Sequence, residues 1–273
     1  MIKLLVKISL LCIAIATIWL GNIAPVTATT PQQNFTEAEI EKLNDLAEKA
    51  INSTNAGDFA TAEDYWTELL ERFPNDPALW SNRGNTRVSQ YKLEAAIEDY
   101  NQAIKLAPDA IDPYLNRGTA LEALGKWEAA ISDYNHVLEL NPKDAAAFNN
   151  RGNAKAGLSQ WQAAINDYNK AIELAPDYAF ARANHALTLY QIGEKEAAIK
   201  NMRNLVRKYP KFADMRAALS AVLWVEGKQG EAESHWVSAA ELDPRYENIE
   251  WVTKARRWPP LMVAALQKFL QFE

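Results

Sequence analysis

Apolar residues recur at helical spacing on both sides of short turns such as Leu124-Gly125-Lys126. Each such stretch closes at a proline, from Pro74 through Pro108, Pro142, Pro176 and Pro210 to Pro244. The pattern predicts helices in pairs, because a proline lacks the backbone N–H and carries a ring that a helix interior does not accommodate. No segment shows the strict alternation of a half-buried strand. A single hairpin cannot bury its apolar face, so the pairs are expected to stack.

The prolines lie 34 residues apart, and so do Ala62, Ala96, Ala130, Ala164, Ala198 and Ala232. Asn82-Arg83-Gly84, Asn116-Arg117-Gly118 and Asn150-Arg151-Gly152 keep the same register. Self-similarity at one fixed period is the mark of a repeat architecture. Six units follow, at residues 43–76, 77–110, 111–144, 145–178, 179–212 and 213–246.

Within a unit, an aromatic stands fourth (Trp80, Tyr114, Phe148), Gly eighth (Gly84, Gly118, Gly152) and Ala twentieth. An aromatic is twenty-fourth (Tyr100, Tyr134, Tyr168), and Pro is thirty-second. This pattern resembles the tetratricopeptide repeat (TPR). The resemblance implies an all-α fold, a right-handed superhelical solenoid of helical hairpins with a C-terminal capping helix. The Asn-Arg-Gly and Asp99-Tyr100-Asn101 signatures are similar to those of TPR proteins abundant in cyanobacteria and plastids, several of which assist photosystem assembly.

The ends depart from the repeat. Thr36-Glu37-Ala38-Glu39 has the spacing of a capping box, with Phe35 placed as a staple, so the first helix is expected to start near Glu37. Residues 29–36 are expected to form a disordered N-terminus, giving a repeat region at 37–246. After it, Ile249, Val252 and Ala255 recur at helical spacing. Trp258-Pro259-Pro260 then forces an extended turn before an amphipathic segment with Leu261, Ala265, Leu266, Phe269 and Leu270. Residues 247–273 therefore read as a cap on the last hairpin; the alternative makes Trp251 and Trp258 a partner site.

Charge and composition narrow the picture further. The chain has 273 residues and a net charge of -6, without a run of basic residues, which argues against sequence-independent nucleic-acid binding. Residues 1–28 carry Lys3 and Lys7 but no acid, then an apolar stretch from Ile8 to Leu20 and small residues at Val26-Thr27-Ala28. They read as a secretory signal peptide cleaved after Ala28, placing the protein outside the cytoplasm, in a periplasm or thylakoid lumen. The alternative is an uncleaved membrane anchor. Cleavage would also remove Cys12, the only cysteine, leaving no thiolate for a disulfide or a metal.

Candidate chemistry is confined to recognition. His136, His185 and His235 fall at different repeat positions, and no nucleophile elbow or phosphate loop is present. No enzyme, metal or cofactor is expected. Arg83, Arg117 and Arg151 at the seventh position recur with Asp99, Asp133 and Asp167 at the twenty-third, which suggests ion pairs within hairpins; the alternative is an arginine ladder for acidic ligands.

The TPR resemblance places the sixth position on the concave groove, so Asn82, Asn116, Asn150 and Asn184 should form a ladder there, extended by Asn85 and Asn153. It is similar to the asparagine ladder in the TPR region of O-linked N-acetylglucosamine transferase, whose catalytic domain has no counterpart here. A primary amide donates and accepts, so it can bond a peptide backbone without reading side chains. Phe180, Leu187, Tyr190 and Trp224, bordered by Arg182 and Arg216, are expected to make an apolar pocket at one end, unless they pack the last hairpins against the cap. The family's carboxylate clamp needs Lys at a fifth position, where this chain has Ala47, Ser81, Leu115, Asn149, Ala183 and Ala217. The expected function is a scaffold that binds a polypeptide, with assembly or maintenance of an envelope or photosynthetic membrane complex as the expected setting. The alternative is a structural adaptor that self-associates through its convex face or terminal helices.

Overall fold

The computed structural model describes residues 36–271. The expected signal peptide, its cleavage point and the Phe35 staple lie outside the described residues. Thr36, counted in the disordered N-terminus above, is the N-cap of the first helix. Its side chain accepts from the Glu39 amide, and the Glu39 carboxylate accepts from the Thr36 amide in return. Both groups satisfy N–H donors that a helix start leaves open.

Fourteen α-helices and no strand are found among the described residues. They pair as α1 (Glu37–Ala56) with α2 (Phe59–Arg72), α3 (Pro77–Ser89) with α4 (Leu93–Leu106), and α5 (Ile111–Ala123) with α6 (Trp127–Leu140). The next pairs are α7 (Ala145–Gly157) with α8 (Trp161–Leu174), α9 (Ala179–Gln191) with α10 (Lys195–Lys208), and α11 (Ala213–Val225) with α12 (Gln229–Leu242). The first helices of successive hairpins also touch one another, α3 with α5, α5 with α7 and α7 with α9. That contact puts them on the inner, more tightly curved side of the superhelix.

Close packing explains the small residues. Ala62, Ala96, Ala130, Ala164, Ala198 and Ala232 are fully buried where the two helices of a hairpin cross. Gly118 lies directly under the Tyr134 ring: a Cβ there would come within 2.6 Å of it, and Gly84 and Gly152 stand in the same relation to Tyr100 and Tyr168.

Hairpin turns need one residue in the left-handed region, and Gly125 supplies it with φ 70°, as do Gly57, Gly193 and Gly227. The same turn in two other hairpins is made by Tyr91 (φ 60°) and Ser159 (φ 58°), where a Cβ crowds the backbone. Tyr91 is 76% exposed and has little packing to lose. Tyr91→Gly is therefore expected to stabilise the protein by ~1 kcal/mol, the strain removed outweighing the added freedom of the unfolded chain. An unchanged or lower urea midpoint would contradict this.

The chain ends in a 3-10 turn at Pro244–Glu247, α13 (Ile249–Lys254) and α14 (Pro260–Leu270). Helix α14 buries Met262, Ala265, Leu266 and Phe269, while Leu261, expected on its apolar face, is half exposed. It packs on α11 and reaches α9. Both are first helices of their hairpins, so the cap covers the C-terminal end of the concave face. Trp258 is buried within the cap, and Trp251 packs edge-on against Tyr246. No helix among the described residues is long and apolar enough to cross a membrane.

Candidate functional site: the concave groove

The three recurrent Arg and Asp residues meet within their hairpins. Arg83 Nη2 lies 2.7 Å from Asp99, Arg117 Nη2 2.6 Å from Asp133, and Arg151 Nη2 2.7 Å from Asp167. Each Nε completes a two-point contact with the second carboxylate oxygen. Each guanidinium also lies over the fourth-position aromatic, Trp80, Tyr114 or Phe148. Arg117 and Arg151 reach back to Asn101 and Asn135 of the preceding hairpin. These cations are paired within the protein and stitch hairpin to hairpin, which makes them ion pairs of the fold and leaves them less available to acidic ligands.

Amide orientation in the groove is set by buried tyrosines. The Tyr100 hydroxyl donates to Asn85 Oδ1 (2.7 Å), which also accepts from Asn116 Nδ2 (3.1 Å). Two hairpins further along the solenoid the network recurs. The Tyr168 hydroxyl donates to Asn153 Oδ1 (3.0 Å), which accepts from Asn184 Nδ2 (2.9 Å). Burial pushes both phenols well above their ordinary pKa, so each remains a donor. With those oxygens taken, Asn85 and Asn153 present Nδ2 donors, while Asn116 and Asn184 keep their Oδ1 acceptors. Asn149, buried on α7, accepts from Asn184 and donates to Asn150 Oδ1, which leaves the Asn150 Nδ2 donor unspent. Asn82 is half-buried and carries no side-chain hydrogen bond among the described residues.

Between the two networks the pattern breaks. Position nine of the third hairpin is Thr119, and the Tyr134 hydroxyl donates instead to Glu122 Oε1 at 2.5 Å. Glu122 is only 5% exposed, and burial pushes its carboxyl up, against the lowering pull of Tyr134 and Arg257. Arg257 belongs to the segment between α13 and α14, and its Nη1 lies 2.9 Å from Glu122 Oε2. Its Cζ lies 5.4 Å from the Trp127 ring centroid, within cation–π range. Arg257 has φ 53°, a strained backbone for a residue with a Cβ. The segment thus crosses the groove as a strap. Under it lies a cavity of about 490 Å³ lined by Asn150, Asn153, Asn184, Trp127 and Trp161, with Phe180 and Leu187 also at its wall.

The strap is fastened at Asp214. This carboxylate, 4% exposed, accepts from Arg256 through both oxygens (3.0 and 2.5 Å), from the Tyr246 hydroxyl (2.7 Å) and from Trp258 Nε1 (2.9 Å).

The expected apolar pocket does not form as a set: Phe180 and Leu187 border the cavity under the strap, while Tyr190 and Trp224 follow the alternative and pack against the cap. Leu187 and Tyr190 are buried in the core shared by the last two hairpins and the cap. Trp224 is half-buried with its ring edge-on to Phe269 of α14, 5.3 Å between centroids. Phe180 stays exposed and packs edge-on against Phe212. The chain's own C-terminal helix occupies the place expected for an anchor residue. Arg182 and Arg216, the expected basic edges, are tied to the turns that precede their helices. Their Nε atoms donate to the carbonyls of Pro176 and Pro210, as Trp80 Nε1 does to Pro74 in the second hairpin.

His136, His185 and His235 stand on α6, α9 and α12, each on a different hairpin. No group of three His, Cys, Asp or Glu is placed to hold a metal among the described residues. Glu122, Trp127 and Arg257 were not singled out in the sequence.

Family models match the chain as TPR repeat at residues 84–125 and 120–159, and as tetratricopeptide repeat at 145–178 and 184–247. Among solved structures, a tetratricopeptide repeat protein from Parabacteroides merdae has a TM-score of 0.62 at 22% identity, over 85% of this chain and 99% of its own. A thermophilic TPR protein from Thermus thermophilus has 0.56 at 19%, over 67% and 99%. YrrB, a TPR protein with an unusual peptide-binding site, has 0.50 at 19%, over 70% and 97%. These likenesses establish the superhelical repeat fold.

Proposed function

The chain belongs to the tetratricopeptide repeat family, and on that premise we propose that its concave face holds an extended polypeptide by the backbone. Proteins built of these repeats are interaction scaffolds. The observation that carries the reading is the fixed orientation of the groove amides: donors from Asn85 and Asn153 alternate with acceptors from Asn116 and Asn184. An extended backbone offers N–H and C=O groups in alternation and can complement such a row without regard to its side chains. The peptide-binding site of YrrB, on the same fold, supports a polypeptide partner. The sequence of residues 1–28 favours export to a periplasm or thylakoid lumen. There the partner would be a membrane-complex subunit during assembly or repair.

The test is retention of a random-sequence decapeptide pool on the immobilised protein. Replacing Asn82, Asn116, Asn150 and Asn184 together by Ala should weaken retention across the pool, by about 1 kcal/mol for each hydrogen bond lost. Asn82 has no partner to order it, so its share should be smallest. Equal retention by a folded quadruple variant, and again after Asn85 and Asn153 are also replaced by Ala, would remove the groove from the binding site. Retention of soluble copies of the chain itself, with no retention of the peptide pool, would favour the self-associating adaptor.

A further inference from the structure

We propose that the seat of Arg257 is a recognition site for an arginine side chain of the bound polypeptide, and that Arg257 is its resident occupant. The inference rests on the polypeptide reading and adds the partner's chemistry to it. Glu122 lies midway along the groove, between the Asn85–Asn116 network and the Asn153–Asn184 network. A backbone spanning both amide sets would carry a side chain over this carboxylate. One Glu122 oxygen is held by the Tyr134 hydroxyl, so the carboxylate has a fixed direction, and the other meets the guanidinium. The Trp127 indole forms a wall of the seat. It is fixed from behind by Gly157, where a Cβ would come within 2.6 Å of the ring. A buried carboxylate beside an indole face suits a planar guanidinium better than a compact ammonium.

The occupant is replaceable where the seat is not. Among the described residues Arg257 makes one side-chain hydrogen bond, to Glu122; its side chain is 36% exposed, and its backbone is in the left-handed region. Arg256 next to it is the opposite, tied to Asp214 through both carboxylate oxygens. The strap can therefore stay fastened at Asp214 while the Arg257 side chain swings out. An arginine from the partner would then restore the same ion pair and the same stacking. The chain's net charge of -6 favours approach of a basic segment.

The experiment uses the full chain, with N-acetyl-arginine amide as probe and N-acetyl-citrulline amide as its neutral counterpart. The ¹⁵N indole signal of Trp127 is assigned from Trp127→Phe. In Arg257→Ala the arginine probe should shift that signal saturably and bind at least ten-fold more tightly than to the parent, and citrulline should not bind. Arg257→Ala combined with Glu122→Gln should lose the response. Should Arg257→Ala fail to fold, Arg257→Gln serves in its place, since it keeps bulk and removes charge. No saturable shift in a folded variant, or an equal response to citrulline, overturns the inference and leaves Arg257 a structural latch. Retention of an arginine-free decapeptide pool without probe binding overturns this inference alone. Probe binding without pool retention supports the arginine seat and overturns the polypeptide reading.

Discussion

Replacing Asp214 by Ala is expected to destabilise the protein by about 4 kcal/mol, because removing one member of a buried charged cluster strands the rest. Asp214 is 4% exposed and receives Arg256, Tyr246 and Trp258 at once. Without it, the Tyr246 hydroxyl and the Trp258 indole N–H are left in a dry site, and Arg256, with 26% of its side chain exposed, keeps only partial access to water. The loss should be concentrated in the cap. Hydrogen exchange in α13 and α14 should rise far more than in α3 to α8, since each hairpin of a repeat protein is held mainly by its neighbours. A loss below about 1 kcal/mol by urea unfolding would mean that water reaches the cluster and serves as its partner.

The second large effect concerns Arg117. Arg117→Ala should cost about 3 kcal/mol by leaving the Asp133 carboxylate unpaired at 5% exposure of its side chain. The equivalent changes at Arg83 and Arg151 should cost less, and the reason is one residue. Asp99 keeps Arg87 at 2.9 Å, and Asp167 keeps Lys155 at 2.7 Å, but the corresponding position beside Asp133 is Leu121. Installing a cation with Leu121→Lys in the Arg117→Ala background should recover part of the loss. Equal costs for the three Arg variants would show that the second cation contributes nothing.

The contrast between these two clusters shows what the sequence could reveal. Arg117 and Asp133 were readable because the pair recurs at fixed repeat positions, where two residues on one hairpin are set to face each other by helical spacing alone. The helices themselves were readable for the same reason, down to the start of α1 at Glu37 and the turn at Gly125. Asp214 lies in the sixth unit but pairs with Arg256 and Trp258 beyond the repeats, and nothing periodic relates Arg257 to Glu122, which lie in different parts of the chain. A cap was foreseen from Trp258-Pro259-Pro260, but helical spacing alone left Tyr190 and Trp224 open between a groove pocket and packing against that cap. The structure takes the packing, with Phe269 of α14 edge-on to Trp224. Asn184 could be placed by its repeat position, whereas the direction of its amide depends on the Tyr168 hydroxyl two links away. A tyrosine at position twenty-four together with Asn at nine, found in the second and fourth hairpins, was the available signal for that network. Thr119 in the third marked where it would break.

Whether an extended backbone lies along the oriented amides is decided by side-chain amide NMR of the ¹⁵N-labelled protein during titration with the random-sequence decapeptide pool. Saturable shifts of the Asn85, Asn150 and Asn153 Nδ2 signals are expected, with backbone amides of the outer helices α4, α6 and α8 unmoved. Shifts confined to those outer helices or to the cap, with the three amide signals unchanged, would contradict that placement.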